Sequence, residues 1–175
     1  MKSRGITLLE LLVVMVIVSI MAAIALPNLG DYISRKKLSR QCDEFTAFLS
    51  RAREKAMEQG ITWRVLVHPE KGEWLGYGDT NNNHNLETGE EHLGPFYLTD
   101  GISCGSHASV GPNNSTIPDD AVSFQNNRIS FSSMGCCNAG TIYLMSHDRS
   151  MAIRLLPSSG LVRIWEYKDS WEVVK

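Results

Sequence analysis

From Ile6 to Leu26 the chain reads ITLLELLVVMVIVSIMAAIAL, an apolar run interrupted by a single charge, Glu10. In lipid, a lone segment can satisfy its own backbone donors and acceptors only as a helix. About 20 apolar residues are needed to cross a hydrocarbon core, and this run is about that long. A carboxylate inside it costs roughly 2.5–3.5 kcal/mol on insertion scales, so Glu10 is expected to have a cationic partner. Upstream lies a short basic leader, Met1-Lys2-Ser3-Arg4, which ends at Gly5. Cleavage after Gly5 would give Ile6 a new α-amino cation, one helical turn from Glu10 and on the same face. In a filament the cation would equally come from the amino terminus of a neighbouring subunit.

Gly5, the stretch Ile6-Thr7-Leu8-Leu9-Glu10-Leu11-Leu12-Val13-Val14 and the apolar run up to Pro27 together resemble precursors of type IV pilins and type II secretion pseudopilins. The resemblance implies that a prepilin peptidase cuts after Gly5 and methylates Ile6, and that Glu10 aids docking into a growing filament. Ile6 departs from the Phe or Met that many members carry there. The implied organisation is a cleaved leader over residues 1–5, a transmembrane and filament-core helix over 6–27, and a periplasmic α+β domain over 28–175. The competing reading is a secretory signal peptide, with Lys2 and Arg4 as its charged region and Ala23-Ile24-Ala25 as its cleavage site. Against it, the run exceeds the usual ~7–15 apolar residues, contains Glu10, and continues its helical pattern past Ala25.

The formal net charge is −2, with 17 basic and 19 acidic side chains. Losing Lys2 and Arg4 would leave 15 basic residues, which does not mark a nucleic-acid binder. The positive-inside rule puts Lys2 and Arg4 in the cytoplasm, although Arg35, Lys36 and Lys37 oppose it. The resemblance implies a single-pass protein of the bacterial inner membrane, its C-terminal domain periplasmic, and a place in a pilus or pseudopilus after assembly. Disulfides persist in that compartment. Four cysteines, Cys42, Cys104, Cys136 and Cys137, allow three pairings. Cys136 and Cys137 are adjacent, and a bond between neighbours is strained, so each is expected to look elsewhere. Cys104 lies in a Gly/Ser-rich loop, and at least one disulfide with Cys104 at one end is expected. No C-x-x-C and no helical His pair supports a cysteine metal site instead.

After Pro27 the helical period resumes. Leu38, Cys42, Phe45, Leu49, Ala52 and Ala56 form one apolar stripe, and Gly60 stands as its C-terminal stop. One helix from Ile6 to Gln59 would be ~80 Å long, with Pro27 and Gly30 expected to kink or locally melt it. The rest reads as short strands: 61–67, 74–77, 96–98, 122–124, 129–132, 141–145, 151–156 and 161–167, with turns at Pro69-Glu70-Lys71-Gly72, Gly140 and Ser158-Ser159-Gly160. The expected class is α+β, a pilin fold in which a long N-terminal helix packs on an antiparallel sheet.

The segment 79–90 places Asp79, Asn81, Asn83, Asn85, Glu87 and Glu90 at the ligand positions of a twelve-residue calcium loop. His84 departs from the glycine such a turn normally needs, and strands rather than helices flank the segment. The alternative is an Asn-rich hairpin whose side chains cap their own backbone. Calcium is the one cofactor that these residues point to. Trp74, Gly76, Gly78, Asp79, Asn81, Gly89 and Glu90 also resemble a stretch of the GspH/FimT branch of minor pseudopilins, as do Phe131, Gly135, Gly140-Thr141-Ile142 and Ser159-Gly160-Leu161-Val162-Arg163. Some members of that branch bind DNA for uptake through a basic patch. Here Leu161 replaces the first arginine of the motif. Arg149, Arg154, Arg163 and Lys168 remain, diluted by Asp148, Glu166, Asp169 and Glu172.

No nucleophile elbow, H-E-x-x-H or phosphate-binding glycine loop occurs, so no catalytic residue is assigned and no enzyme is expected. The resemblance implies a minor pilin or pseudopilin that helps initiate or cap a filament. Its implied partners are other pilins, the prepilin peptidase, the inner membrane and its assembly platform. DNA is a partner only in the uptake reading.

Overall fold

The computed structural model describes residues 7–174, apart from the side chains of residues 24–29 and 31. Helix α1 runs from Leu8 to Gln59. Thr7 and Glu10 start it through a capping box. The Glu10 N–H donates to Thr7 Oγ1 at 3.2 Å, while the Thr7 N–H and hydroxyl each donate to Glu10 Oε2 at 3.1 Å. Gly60 ends the helix in the left-handed region, φ 69°, with its N–H on the Ala56 carbonyl at 3.0 Å. The backbone stays helical through Pro27 and Gly30, so the local melting expected there does not occur.

Two antiparallel sheets follow. The first takes the order β3-β2-β1-β5, from β1 (Thr62–His68), β2 (Glu73–Asp79), β3 (His92–Tyr97) and β5 (Arg128–Phe131). The second takes the order β4-β6-β7-β8-β9, from β4 (Ser103–Cys104), β6 (Gly140–Met145), β7 (Ser150–Leu156), β8 (Leu161–Tyr167) and β9 (Trp171–Val173). The expected α+β arrangement of a long helix on antiparallel strands is present, with the strands divided between two sheets. Residues 122–124 contribute only a bridge, Val122 to Ile142, and Gly140 opens a strand where a turn was expected. The third strand begins at His92 rather than Phe96.

The α1 stripe is the seam between helix and sheets. Leu38, Cys42, Phe45, Leu49, Ala52 and Ala56 are all buried, against Trp63, Val65, Ile129 and Phe131 of the first sheet and Ile142, Leu144, Ile153 and Ile164 of the second. Phe48, which lies off the predicted stripe, is buried as well and meets Phe96 edge-on, ring centroids 5.1 Å apart. Burying one such side chain is worth roughly 1.5–3 kcal/mol, so this stripe holds the helix to the domain. A smaller cluster, Ala121, Tyr143, Ala152 and Trp165, covers the outer face of the second sheet.

Candidate functional site

The two halves of α1 have opposite surroundings. Beyond Leu38 its stripe is buried, whereas Leu8, Leu9, Leu11, Leu12, Met15 and Ile17 are all more than half exposed. Most of that face is branched or long apolar side chain, an unusual surface for water. Among the described residues, no helical segment is long and apolar enough to cross a membrane. Glu10 faces solvent within this surface and is held locally by Thr7. Gly5 and Ile6, the expected cleavage and methylation positions, lie outside the described residues.

The acidic loop folds over the outer face of the first sheet. Arg64 alternates with the core residues Trp63 and Val65 and so projects from that outer face. Its guanidinium is bonded to the Asp79 carboxylate, the Ser130 hydroxyl and the Asn82 side-chain carbonyl. Asp79 also accepts the N–H groups of Asn83 (3.0 Å) and His84 (3.0 Å). Glu90 accepts from the N–H groups of Thr80 and Glu87, both at 3.0 Å, and Glu87 accepts the side-chain amides of Asn81 (2.9 Å) and Asn83 (2.7 Å).

This is the self-capped turn, not an open cage of oxygens. The Arg64 guanidinium is bonded to Asp79, and the side-chain oxygens of Asn81, Asn83, Glu87 and Glu90 accept from N–H donors of the loop. Among the described residues no group of His, Cys, Asp and Glu is arranged to hold a metal ion. The anticipated obstacle at His84 does not arise, because His84 itself adopts the left-handed region at φ 70°. Burial pushes the Asp79 carboxyl up, but the bonds from Arg64, His84 and Asn83 outweigh it and leave it below the usual range.

All four cysteines are free thiols. Cys104 lies opposite Leu144 near one end of β6, whereas Cys137 precedes Gly140 at the other end and takes the Pro157 carbonyl at 2.9 Å. Four residues of strand separate those two ends of β6 by ~13 Å. No disulfide joins any two of the four cysteines. Burial, with Asp43 adding to it, pushes the Cys42 thiol up to about 12.

The basic residues weighed for DNA are split by the fold. Arg149 is paired with Glu166 at 2.8 Å, and Lys168 shares a cleft with Asp169 and Glu172. Arg154 and Arg163 lie opposite each other across β7 and β8, their guanidinium carbons 5.2 Å and 5.9 Å from the Trp165 ring centroid. The sequence reading missed two structural arginines. Arg35 on α1 bonds Glu166 at 2.9 Å and ties the helix to the second sheet, and Arg64 pins the loop. A lone arginine inside the apolar strand WRVLV was the available signal for the second.

The sequence model of the family described as Type II transport protein GspH matches residues 41–159, and that of the Prokaryotic N-terminal methylation motif matches residues 1–26. The chain is 42% identical over 57 residues to a Fimbrial protein of Pseudomonas aeruginosa, covering 33% of this chain and 36% of that one. It is 30% identical over 100 residues to the Type IV major fimbrial protein FimA of Dichelobacter nodosus, covering 56% and 52% respectively. The chain thus spans about a third to a half of the length of these relatives. In fold it is similar to the type IV minor pilin FimU of Pseudomonas aeruginosa, with TM-score 0.52, 11% identity, and coverage of 81% of this chain and 96% of that one.

Proposed function

As this chain belongs to the GspH family of minor pseudopilins, we propose that it docks into a pilus-like filament and helps initiate or cap it, for type II secretion or type IV pilus assembly. One observation carries the reading: α1 buries a stripe from Leu38 onward in its own domain and leaves its apolar N-terminal half uncovered. Such a half-helix is made to be covered by lipid before assembly and by neighbouring helices after it. The reading places the leader at 1–5, the anchor and filament core at 6–27 and a periplasmic domain at 28–175. It takes the prepilin peptidase, the membrane platform and other pilins as partners, and it describes a docking protein with no catalytic step.

Mass spectrometry of the native protein tests it. The mature chain should begin at N-methylated Ile6, and Gly5→Ala should leave the unprocessed precursor in the membrane. A mature start after Ala25 would sink the reading. DNA uptake is the second reading, favoured by the exposed Arg163 beside Trp165, with Arg154 held next to it by Thr141 and Ser115. Salt-dependent gel shifts that fail in Arg163→Gln would support it.

A further inference from the structure

Arg128 and Ser130 on β5 alternate with the core residues Ile129 and Phe131, so they project from the same outer face as Arg64. Beside the acidic loop, they open onto a cleft of about 400 Å³, walled also by His84, Gln125, Asn126 and Asn138. That is within the range of small-ligand sites. No carboxylate lines it. Arg64 is already neutralised by Asp79. Arg128 is not: among the described residues its guanidinium has no ion pair and no hydrogen bond, and its buried Nε–H has no acceptor. Buried donors are almost always paired, so one left open on a cation calls for an explanation.

The surrounding wall is fixed. Asn138 donates its amide to the Arg128 carbonyl at 2.9 Å and accepts the Ser130 N–H at 2.8 Å. The Ser130 oxygen accepts from Arg64 at 2.9 Å, which leaves its own hydrogen to donate. Gln125 and Asn126 also line the cleft, and a side-chain amide can donate to an oxyanion. A fork of guanidinium donors ringed by amides and a hydroxyl is the arrangement that recognises an oxyanion.

We propose that this cleft binds a compact oxyanion, a carboxylate or phosphate-type group, held by Arg128 with the Ser130 hydroxyl and the Gln125 and Asn126 amides. The proposal does not depend on the docking reading. Thermal unfolding of the purified full chain, titrated with inorganic phosphate or with acetate against sodium chloride at equal ionic strength, tests it. A saturable rise in Tm is expected, about 4 °C at ten times the dissociation constant. The lower half-saturation of the two probes tells a phosphoryl source from a carboxylate. Arg128→Gln should abolish the rise, while Arg40→Gln, at an exposed arginine of α1 paired with Glu44, should keep it. In the wild type, the Arg128 Nε–H resonance should move along the same titration, a readout that holds even if the variant folds poorly. A rise matched by chloride, a rise that survives Arg128→Gln, or an unmoved Arg128 resonance would overturn the proposal.

Discussion

Arg64 and Asp79 form an ion pair with both side chains almost fully withdrawn from solvent, 6% and 0% exposed. Arg64 belongs to β1 and Asp79 closes β2, so the pair joins the centre of the first sheet to the root of the acidic loop. Through Asn82, Asn83 and His84 it also fixes the loop's first turn. A loop that reads as a cation site is thereby held by a protein cation instead.

Removing one member of a buried pair leaves the other uncompensated, at a cost of roughly 3–5 kcal/mol. Asp79→Ala should lower stability by about that much in urea unfolding. The double replacement Arg64→Met with Asp79→Leu should cost clearly less than Asp79→Ala alone. Equal losses would mean that the pair is not coupled.

The pH dependence follows from the same carboxylate. The bonds to Asp79 outweigh its burial and hold it below its ordinary value, and the Glu87 and Thr80 N–H groups hold Glu90 down. The unfolded chain therefore binds these protons more readily than the folded one. Their stabilisation is present above about pH 4, the ordinary carboxylate range, and is lost as pH falls further. Urea midpoints at pH 7, 4 and 3 should fall toward acid, and the fall should be shallower in Asp79→Asn.

Because Arg64 and N–H donors of the loop already engage Asp79, Asn81, Asn83, Glu87 and Glu90, melting curves with calcium and with chelator should superimpose. Glu90→Gln should shift both by the same amount. A chelator-reversible rise in Tm would reinstate the site formed by Asp79, Asn81, Asn83, Asn85, Glu87 and Glu90.

Glu10 can be tested for two separable roles, since it caps the helix with Thr7 and is proposed to dock. Glu10→Gln keeps the capping geometry and removes the charge, whereas Glu10→Ala removes both. If docking needs the carboxylate, both variants should insert in the membrane and neither should crosslink to partner pilins. Wild-type crosslinking in Glu10→Gln would leave Glu10 only its helix-capping role.

Gly140→Ala should cost about 1–3 kcal/mol by overpacking, because its Cβ would come within 2.4 Å of the Phe124 ring. Gly30→Ala meets nothing within 4 Å and should be neutral or stabilising, as alanine favours a helix interior. Urea unfolding should show a loss in Gly140→Ala and none in Gly30→Ala.

The long helix was legible in the sequence because its signals are local. Apolar spacing from Leu38 to Ala56, Gly60 as the stop and the uncharged run after Glu10 each act within a turn or two of the chain. The strands expected at 61–67, 141–145, 151–156 and 161–167 were legible for the same reason, and the family resemblance rested on similarly short stretches. What the tertiary structure decided concerns partners far apart in sequence. It divided the strands into two sheets and added the short edges β4 and β9, whose existence depends on neighbours rather than on their own residues. It parted Cys104 from Cys137 by the length of β6, joined Arg35 to Glu166, and turned Asp79 from a candidate calcium ligand into the counter-ion of Arg64. Spacing along a chain records which side chains share a face. Only packing brings a charge on one strand against a charge on another, and that contact fixes what each group is free to bind.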